Sequence, residues 1–335
     1  MEQYTTKHNN WNYKISLDDK PNIPFSLEIK PFKEPKSLSK YYSLNEDNIK
    51  AFLHNNFYLS QPNQLNDLFD SNPILINFED RPFDHFISYI NSDKIALAKQ
   101  EYSKNPKLFL DNIKAHIYQE WITITGILCM TENKTNDLMW THYTNNYGFL
   151  VEFDYSKFNP KLFMGPYPIN YSNKLTPVLF KNTQNTLGFL IASTIKKKIW
   201  DYENEYRFFC RPENGIGFKV SGPLDNSNFH SDLQPRFISY PKESIKNVIL
   251  GFAFFKNDID RQNANYSDYK YNVIFTRDNS ELKIKLFNYT IENNINVELL
   301  TFDSSFKLIP IPINITKRNE TTYYIEEQRP QVKTK

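Results

Sequence analysis

Two carboxylates and a guanidinium fall at alternate positions in Trp200-Asp201-Tyr202-Glu203-Asn204-Glu205-Tyr206-Arg207-Phe208-Phe209-Cys210. Alternate residues of an extended strand share a face, so Glu203, Glu205 and Arg207 are expected together, with Tyr206, Phe208 and Cys210 turned to the core. Such a triplet is either an exposed ladder of small energetic worth or one wall of a cleft in which Arg207 keeps Glu205 ionised. A second cluster, Trp140-Thr141-His142-Tyr143, follows Asn136-Asp137. Its rings could form a stacking surface with polar tips. His142 could donate to a ligand or move a proton. The plain alternative is an aromatic corner whose histidine is simply hydrogen-bonded. A third group joins Lys40-Tyr41-Tyr42-Ser43 to the loop Ser60-x-Pro62-x-x-x-Asn66-Asp67-x-x-Asp70. Asn and Asp there can serve only the turn, by bonding their own backbone, or Asn66 and Asp67 can line a cleft beside a strand at 57–60.

These residues need elements to hold them. Ile49, Phe52 and Leu53 recur at helical spacing behind the capping candidates Ser43 and Asn45, which predicts a helix over 45–55. Helices are expected at 93–102 and 106–120, the second with Pro106 in its first turn and Leu110, Ile113 and Ile117 on one face. The β-branched run 122–130 predicts a buried strand, and 149–154 another. A helix is expected over 179–198, its Lys196-Lys197-Lys198 end a solvated face. Strands are expected at 203–210, 217–221, 236–240, 247–251, 271–276, 295–302 and 305–312, with a helix at 280–292. Pro310 and Pro312 place the last strand at a sheet edge. Helices and strands interleave without a regular βαβ rhythm, so the expected class is α+β with mixed, mainly antiparallel sheets and flanking helices. Residues 1–36, punctuated by Pro21, Pro24, Pro31 and Pro35, are expected as a polar extension with one short strand near 27–29. Residues 37–313 form a single domain and 314–335 a charged, frayed tail.

The bulk composition narrows the function. The chain has 335 residues, 40% of them hydrophobic, with 27 Phe and 22 Tyr, so an aromatic-rich core is expected. Forty Lys and Arg stand against 38 Asp and Glu. That balance lacks the basic excess of most nucleic-acid binders. Cys129 and Cys210 sit in apolar runs without ligand neighbours, so no metal is expected, and two buried thiols suit a reducing, cytoplasmic setting. No apolar window reaches membrane length, and the polar start of the chain does not read as a signal peptide. Walker, GxGxxG, HExxH, GxSxG and CxxC signatures are missing.

Taken in order, KYYSLNEDNIKAFLHNNFYLSQPNQLNDLFD, ILCMTEN with NDLMWTHYTNNYGFLVEFD, KKKIWDYENEYRFF and IKNVILG resemble the bacterial family DUF 2971 over residues 37–313. That family's pattern has a Lys-Tyr-Arg strand, a Ser-x-Pro-x-x-Phe-Asn-Asp-Pro-Phe-Asp loop, Met-Trp-Ser-His-Tyr, Tyr-Glu-x-Glu-Tyr-Arg and Val-Ile-Leu-Gly. Here Tyr42 stands at the arginine, Leu65 and Leu68 at the Phe and Pro, and Thr141 at the serine. The layout is similar to ADP-ribosyltransferase-like proteins, including toxins of toxin–antitoxin pairs. The resemblance implies an ADP-ribosyltransferase-like core and a toxin or antiphage-defence effector that consumes NAD by cleaving its nicotinamide–ribose bond. Glu205, with Glu203 second, would stabilise the oxocarbenium-like sugar. Trp140 or Tyr143 would stack on nicotinamide. His142 would bond a ribose or take a proton. Arg207 would orient Glu205 or meet a phosphate. Tyr41, Tyr42, Ser60, Asn66 and Asp67 complete the expected binding surface, with protein, nucleic acid or water as acceptor. Two other classes stay open: a non-catalytic module for a nucleotide or protein partner, and a nucleic-acid-processing enzyme holding Mg²⁺ through Asp67, Asp70, Glu203 and Glu205.

Overall fold

The computed structural model describes residues 3–8, 11–17, 25–78, 82–179, 185–221, 232–260, 264, 269–277 and 279–329. Pro21, Pro24 and the 180–184 part of the expected 179–198 helix lie outside them. Elements are mixed α and β, with sheets mainly antiparallel, as expected. In place of a single domain between an extension and a tail, the chain divides into two compact units. The first comprises Met1–Glu34, Tyr58–Cys129 and Asn159–Ile238. The second comprises Pro35–Phe57, Met130–Phe158 and Ser239–Lys335.

The first unit begins with a three-stranded antiparallel sheet, Gln3–His8, Trp11–Leu17 and Phe25–Lys30. The N-terminal segment is thus far more structured than one short strand. Pro106–Ile124 is the unit's long helix. Asn105 caps it by accepting from the Leu108 amide at 3.1 Å, and Pro106 sits at its first position, where no helical N–H is needed. Phe109, Leu110, Ile113, Ile117, Tyr118, Trp121 and Ile122 repeat at three and four residues and are buried. Trp121 and Ile122 continue that stripe, so the helix runs on to 124 and the strand expected from 122 starts only at Gly126. Buried Arg236 closes the helix end, donating to the Ile122 carbonyl and to Thr125 O at 3.0 Å, where the helix dipole favours a cation.

The expected helix over 179–198 is also shorter, Asn185–Ala192. Thr194 Oγ1 folds back to Ile191 O at 2.8 Å, competing with the helical pattern. Ile195–Lys197 then becomes a strand, parallel to Asn170–Ser172. Glu205–Cys210 pairs antiparallel with Phe163–Pro168. The stretch 217–221 is no strand but makes a single bridge, Phe218 to Gln234.

The second unit carries a twisted run of strands in the order Lys270–Ile274, Thr322–Glu327, Leu308–Lys317, Asn296–Phe302, Ile245–Leu250, Phe149–Phe153 and Leu38–Tyr42. All pairs are antiparallel except Ile245–Leu250 with Asn296–Phe302. The C-terminal segment is therefore sheet through residue 327, not frayed. Thr322–Glu327 pairs with Leu308–Lys317, so that strand has a partner on each side, and Pro310 and Pro312 are accommodated inside the sheet. Helices Glu46–Leu53 and Ser280–Glu292 match their expected positions, the first capped by Asn45 accepting from Asn48 N at 2.8 Å. Among the described residues no helix is long and apolar enough to cross a membrane.

Candidate functional site

The sequence-derived candidates fall into different units. Ser60, Asn66, Asp67, Asp70, Glu203, Glu205 and Arg207 belong to the first, and Tyr41, Tyr42, Trp140, His142 and Tyr143 to the second.

In the first unit the charged residues converge into one buried network. Arg207 sits mid-strand, where its neighbours Tyr206 and Phe208 are also buried. The strand therefore has two covered faces, which rules out an exposed ladder, while Glu205 at its start lines a pocket. Its guanidinium makes a two-pronged contact with Asp70, Nη1 to Oδ1 at 2.7 Å and Nη2 to Oδ2 at 2.5 Å. It makes a second with Glu205, Nε to Oε1 at 2.7 Å and Nη2 to Oε2 at 3.1 Å. The remaining Nη1 capacity goes to Ser193 O at 2.8 Å. Lys196, expected on a solvated face, is only 3% exposed. It donates to Glu203 at 2.5 Å and Glu205 at 3.1 Å, with Asp70 at 3.8 Å. Glu203 is not part of the strand: it ends a 3-10 turn, Asn204 takes a left-handed φ of 42°, and Lys196 draws the two glutamates together instead.

Three carboxylates face two cations, so the cluster keeps one formal negative charge. Burial alone would raise the Glu205 carboxyl, but Arg207 first and Lys196 second hold it well below the usual carboxylate range. Lys196 is pushed up despite burial, mainly by Glu205. A depressed carboxyl pKa contributes stability that is complete above its unfolded value of roughly 4.5 and is lost as pH falls toward the folded one. The urea midpoint should accordingly hold steady from pH 8 to about 5 and drop by pH 4. A midpoint unchanged down to pH 3 would show that the network gives no linkage.

Asp70, Glu203 and Glu205 thus spend their oxygens on Lys196 and Arg207. Asp67 Oδ1 accepts from Phe69 N at 3.1 Å, the plain turn geometry. Among the described residues no three His, Cys, Asp or Glu are arranged to hold a metal ion. Asn66 is exposed. Ser60 serves its backbone bridge to Ile127.

A pocket touches this network through Glu205. It has a volume of about 350 Å³ and is lined by Trp11, Pro31, Phe32, Lys33, Pro168, Ile169, Tyr171, Asn204 and Glu205. The Tyr171 hydroxyl accepts from the Glu205 amide at 2.9 Å, and burial followed by the Glu205 charge drives its pKa far up, so it stays a neutral phenol. Trp11, Phe32 and Tyr171 carried no motif in the sequence, and Lys196 was noted only in a run expected to be solvated. Trp11 and Phe32 stand in the polar N-terminal segment, and only the fold brings them to Glu205.

In the second unit, Asp137–Thr144 is a helix capped by Asn136. Trp140 is fully buried in a cluster with Leu150, Ile249, Leu300 and Leu308, and its indole N–H donates to Lys134 O at 2.8 Å. Both its faces are therefore packed, which removes it as a stacking platform. Tyr41 meets Trp140 edge-on at 5.1 Å and donates to Asn133 O at 2.9 Å. Tyr42 is buried and stacked on Phe149 at 5.1 Å. Tyr143 is half-buried beside Tyr41, at 6.3 Å, and His142 is exposed on the helix surface. The plain aromatic-corner alternative describes Trp140, with Tyr41 packed beside it and Tyr42 a core ring on Phe149.

No protein-family model, curated protein or solved structure matches the chain.

Proposed function

We propose that this chain is an NAD-consuming effector of the toxin or antiphage-defence type, and that it cleaves the nicotinamide–ribose bond at the Glu205 pocket of the first unit. The observation that carries this is the placement of an ionised glutamate in the lining of a pocket that also presents Trp11, Phe32 and Tyr171. Nicotinamide in NAD⁺ is a flat cation, and aromatic faces attract cations. The cluster's surplus negative charge acts in the same direction. At about 350 Å³ the pocket is at the small end of ligand sites and suits the nicotinamide riboside end, with the adenylate outside.

Bond cleavage sends the C–N electron pair to nicotinamide, which leaves neutral, and transfers the positive charge to the ribose. A carboxylate already ionised and fixed by Arg207 and Lys196 stabilises that charge without reorganising. Water then adds to the anomeric carbon and loses a proton, giving ADP-ribose. Water needs no further binding surface; a protein or nucleic-acid acceptor would. The Asp70–Arg207 pair also joins the NDLFD loop to the YENEYR strand, two segments on which the DUF 2971 resemblance rests. The late glutamate-bearing strand within a mainly antiparallel, helix-flanked architecture supports an ADP-ribosyltransferase-like core as part of the same proposal. His142 and the Trp140 cluster have no role in this pocket.

One observation favours a second reading, a non-catalytic nucleotide-binding module: both Glu205 oxygens are already engaged, by Arg207, Lys196 and the Cys129 thiol. Kinetics separate the two. Trp11→Ala should raise the KM for NAD⁺ about tenfold by removing a stacking face, with a smaller change in kcat. Binding of NAD⁺ without nicotinamide release would select the module.

A further inference from the structure

The second unit holds a cavity that the proposed reaction does not use, and we infer that it is a separate binding site for a nucleoside monophosphate. Its volume is about 640 Å³, inside the range of small-molecule sites. One wall presents Phe252 and Phe302, 44% and 45% exposed, with ring centroids 5.5 Å apart at 61°. Two phenylalanines left half in water side by side are not explained by core packing. Tyr269 adds a third exposed ring, with the Arg329 guanidinium 4.3 Å above it.

A polar turn also lines the cavity. Asn145 and Asn146 end the helix Asp137–Thr144 with left-handed φ values of 51° and 63°, a conformation asparagine tolerates better than most residues. Ala253 N donates to Asn146 O at 3.1 Å, and Gly251 N to Gly148 O at 2.9 Å. A Cβ on Gly251 would overlap the Asn146 carbonyl, so only glycine allows this approach. The IKNVILG motif therefore places Phe252 beside the asparagine turn.

The chemistry of the walls selects the ligand. A nucleobase has a face to stack on the phenylalanines and an edge of donors and acceptors that asparagine amides can meet. Arg329 is spent on Glu327 at 2.7 Å. Lys256 is exposed, lines the same cavity, and makes no ion pair among the described residues. One surplus cation fits one phosphate better than a di- or triphosphate.

Calorimetric titration of the full chain with AMP, GMP, CMP and UMP, and with the parent nucleosides, tests this. At least one nucleotide should bind. Phe302→Ala should weaken it about tenfold or more. Lys256→Ala should weaken the nucleotide about tenfold while leaving its nucleoside nearly unchanged. Phe302→Tyr should retain binding, which guards against a folding defect, and Trp11→Ala, in the other pocket, should have no effect. Failure of all four nucleotides at millimolar concentration, binding indifferent to both Phe302→Ala and Lys256→Ala, or loss of binding in Trp11→Ala would each overturn the assignment.

Discussion

Arg207→Ala should lower the stability of the protein by about 3–5 kcal/mol. Arg207 is fully buried and neutralises Asp70 and Glu205 through four hydrogen bonds. Its removal leaves three carboxylates facing Lys196 alone. Replacing a whole buried pair by apolar groups can be neutral, but removing one partner strands the other's charge. Arg207→Lys should recover only part of the loss, since an ammonium cannot make both two-pronged contacts. Against a total stability of about 5–15 kcal/mol that loss removes a large fraction of what keeps the chain folded. Urea denaturation followed by circular dichroism measures this, and a loss under about 1 kcal/mol would mean that the network is not a structural keystone.

Glu205→Gln should reduce nicotinamide release by about 10²–10³-fold, the effect of losing one charge-stabilising group at a developing charge. Unlike Arg207→Ala it should fold. The cluster holds three carboxylates against two cations, so the amide removes the surplus charge rather than stranding a new one. The glutamine NH₂ still faces cationic donors, which sets a stability cost of about 1–3 kcal/mol. Measuring kcat/KM together with the urea midpoint separates the two effects. A variant that folds and turns over NAD⁺ at the wild-type rate removes Glu205 from the chemistry.

The elements with strong periodicity were legible before any coordinates. Helices Glu46–Leu53 and Ser280–Glu292, the Asn45 cap and the mainly antiparallel α+β class all follow from spacing and turn chemistry. Boundaries failed where a local pattern was ambiguous. Ile122 fits a helix stripe and a β-branched strand equally well, and Thr194 cut the 185–192 helix short through one back-bond. Charge was read too simply. Lys196-Lys197-Lys198 looks solvated on a helix, yet a strand buries Lys196 among carboxylates that are nearby in sequence and one, Asp70, that is far away. The Trp140 cluster looked like a ligand surface because Trp, His and Tyr carry polar atoms, but the indole N–H is satisfied by the Lys134 carbonyl inside the core. Trp11 and Phe32 had no local signature, because their place beside Glu205 is set by the N-terminal sheet and not by any motif.

Cleavage of the nicotinamide–ribose bond at the Glu205 pocket is tested most directly by mass spectrometry of NAD⁺ incubated with purified wild-type protein and with Glu205→Gln. Nicotinamide and ADP-ribose accumulating with the wild type and falling about 10²-fold or more in the folded variant is the result expected here. No nicotinamide from folded wild-type protein, alone or with cell lysate, would contradict it.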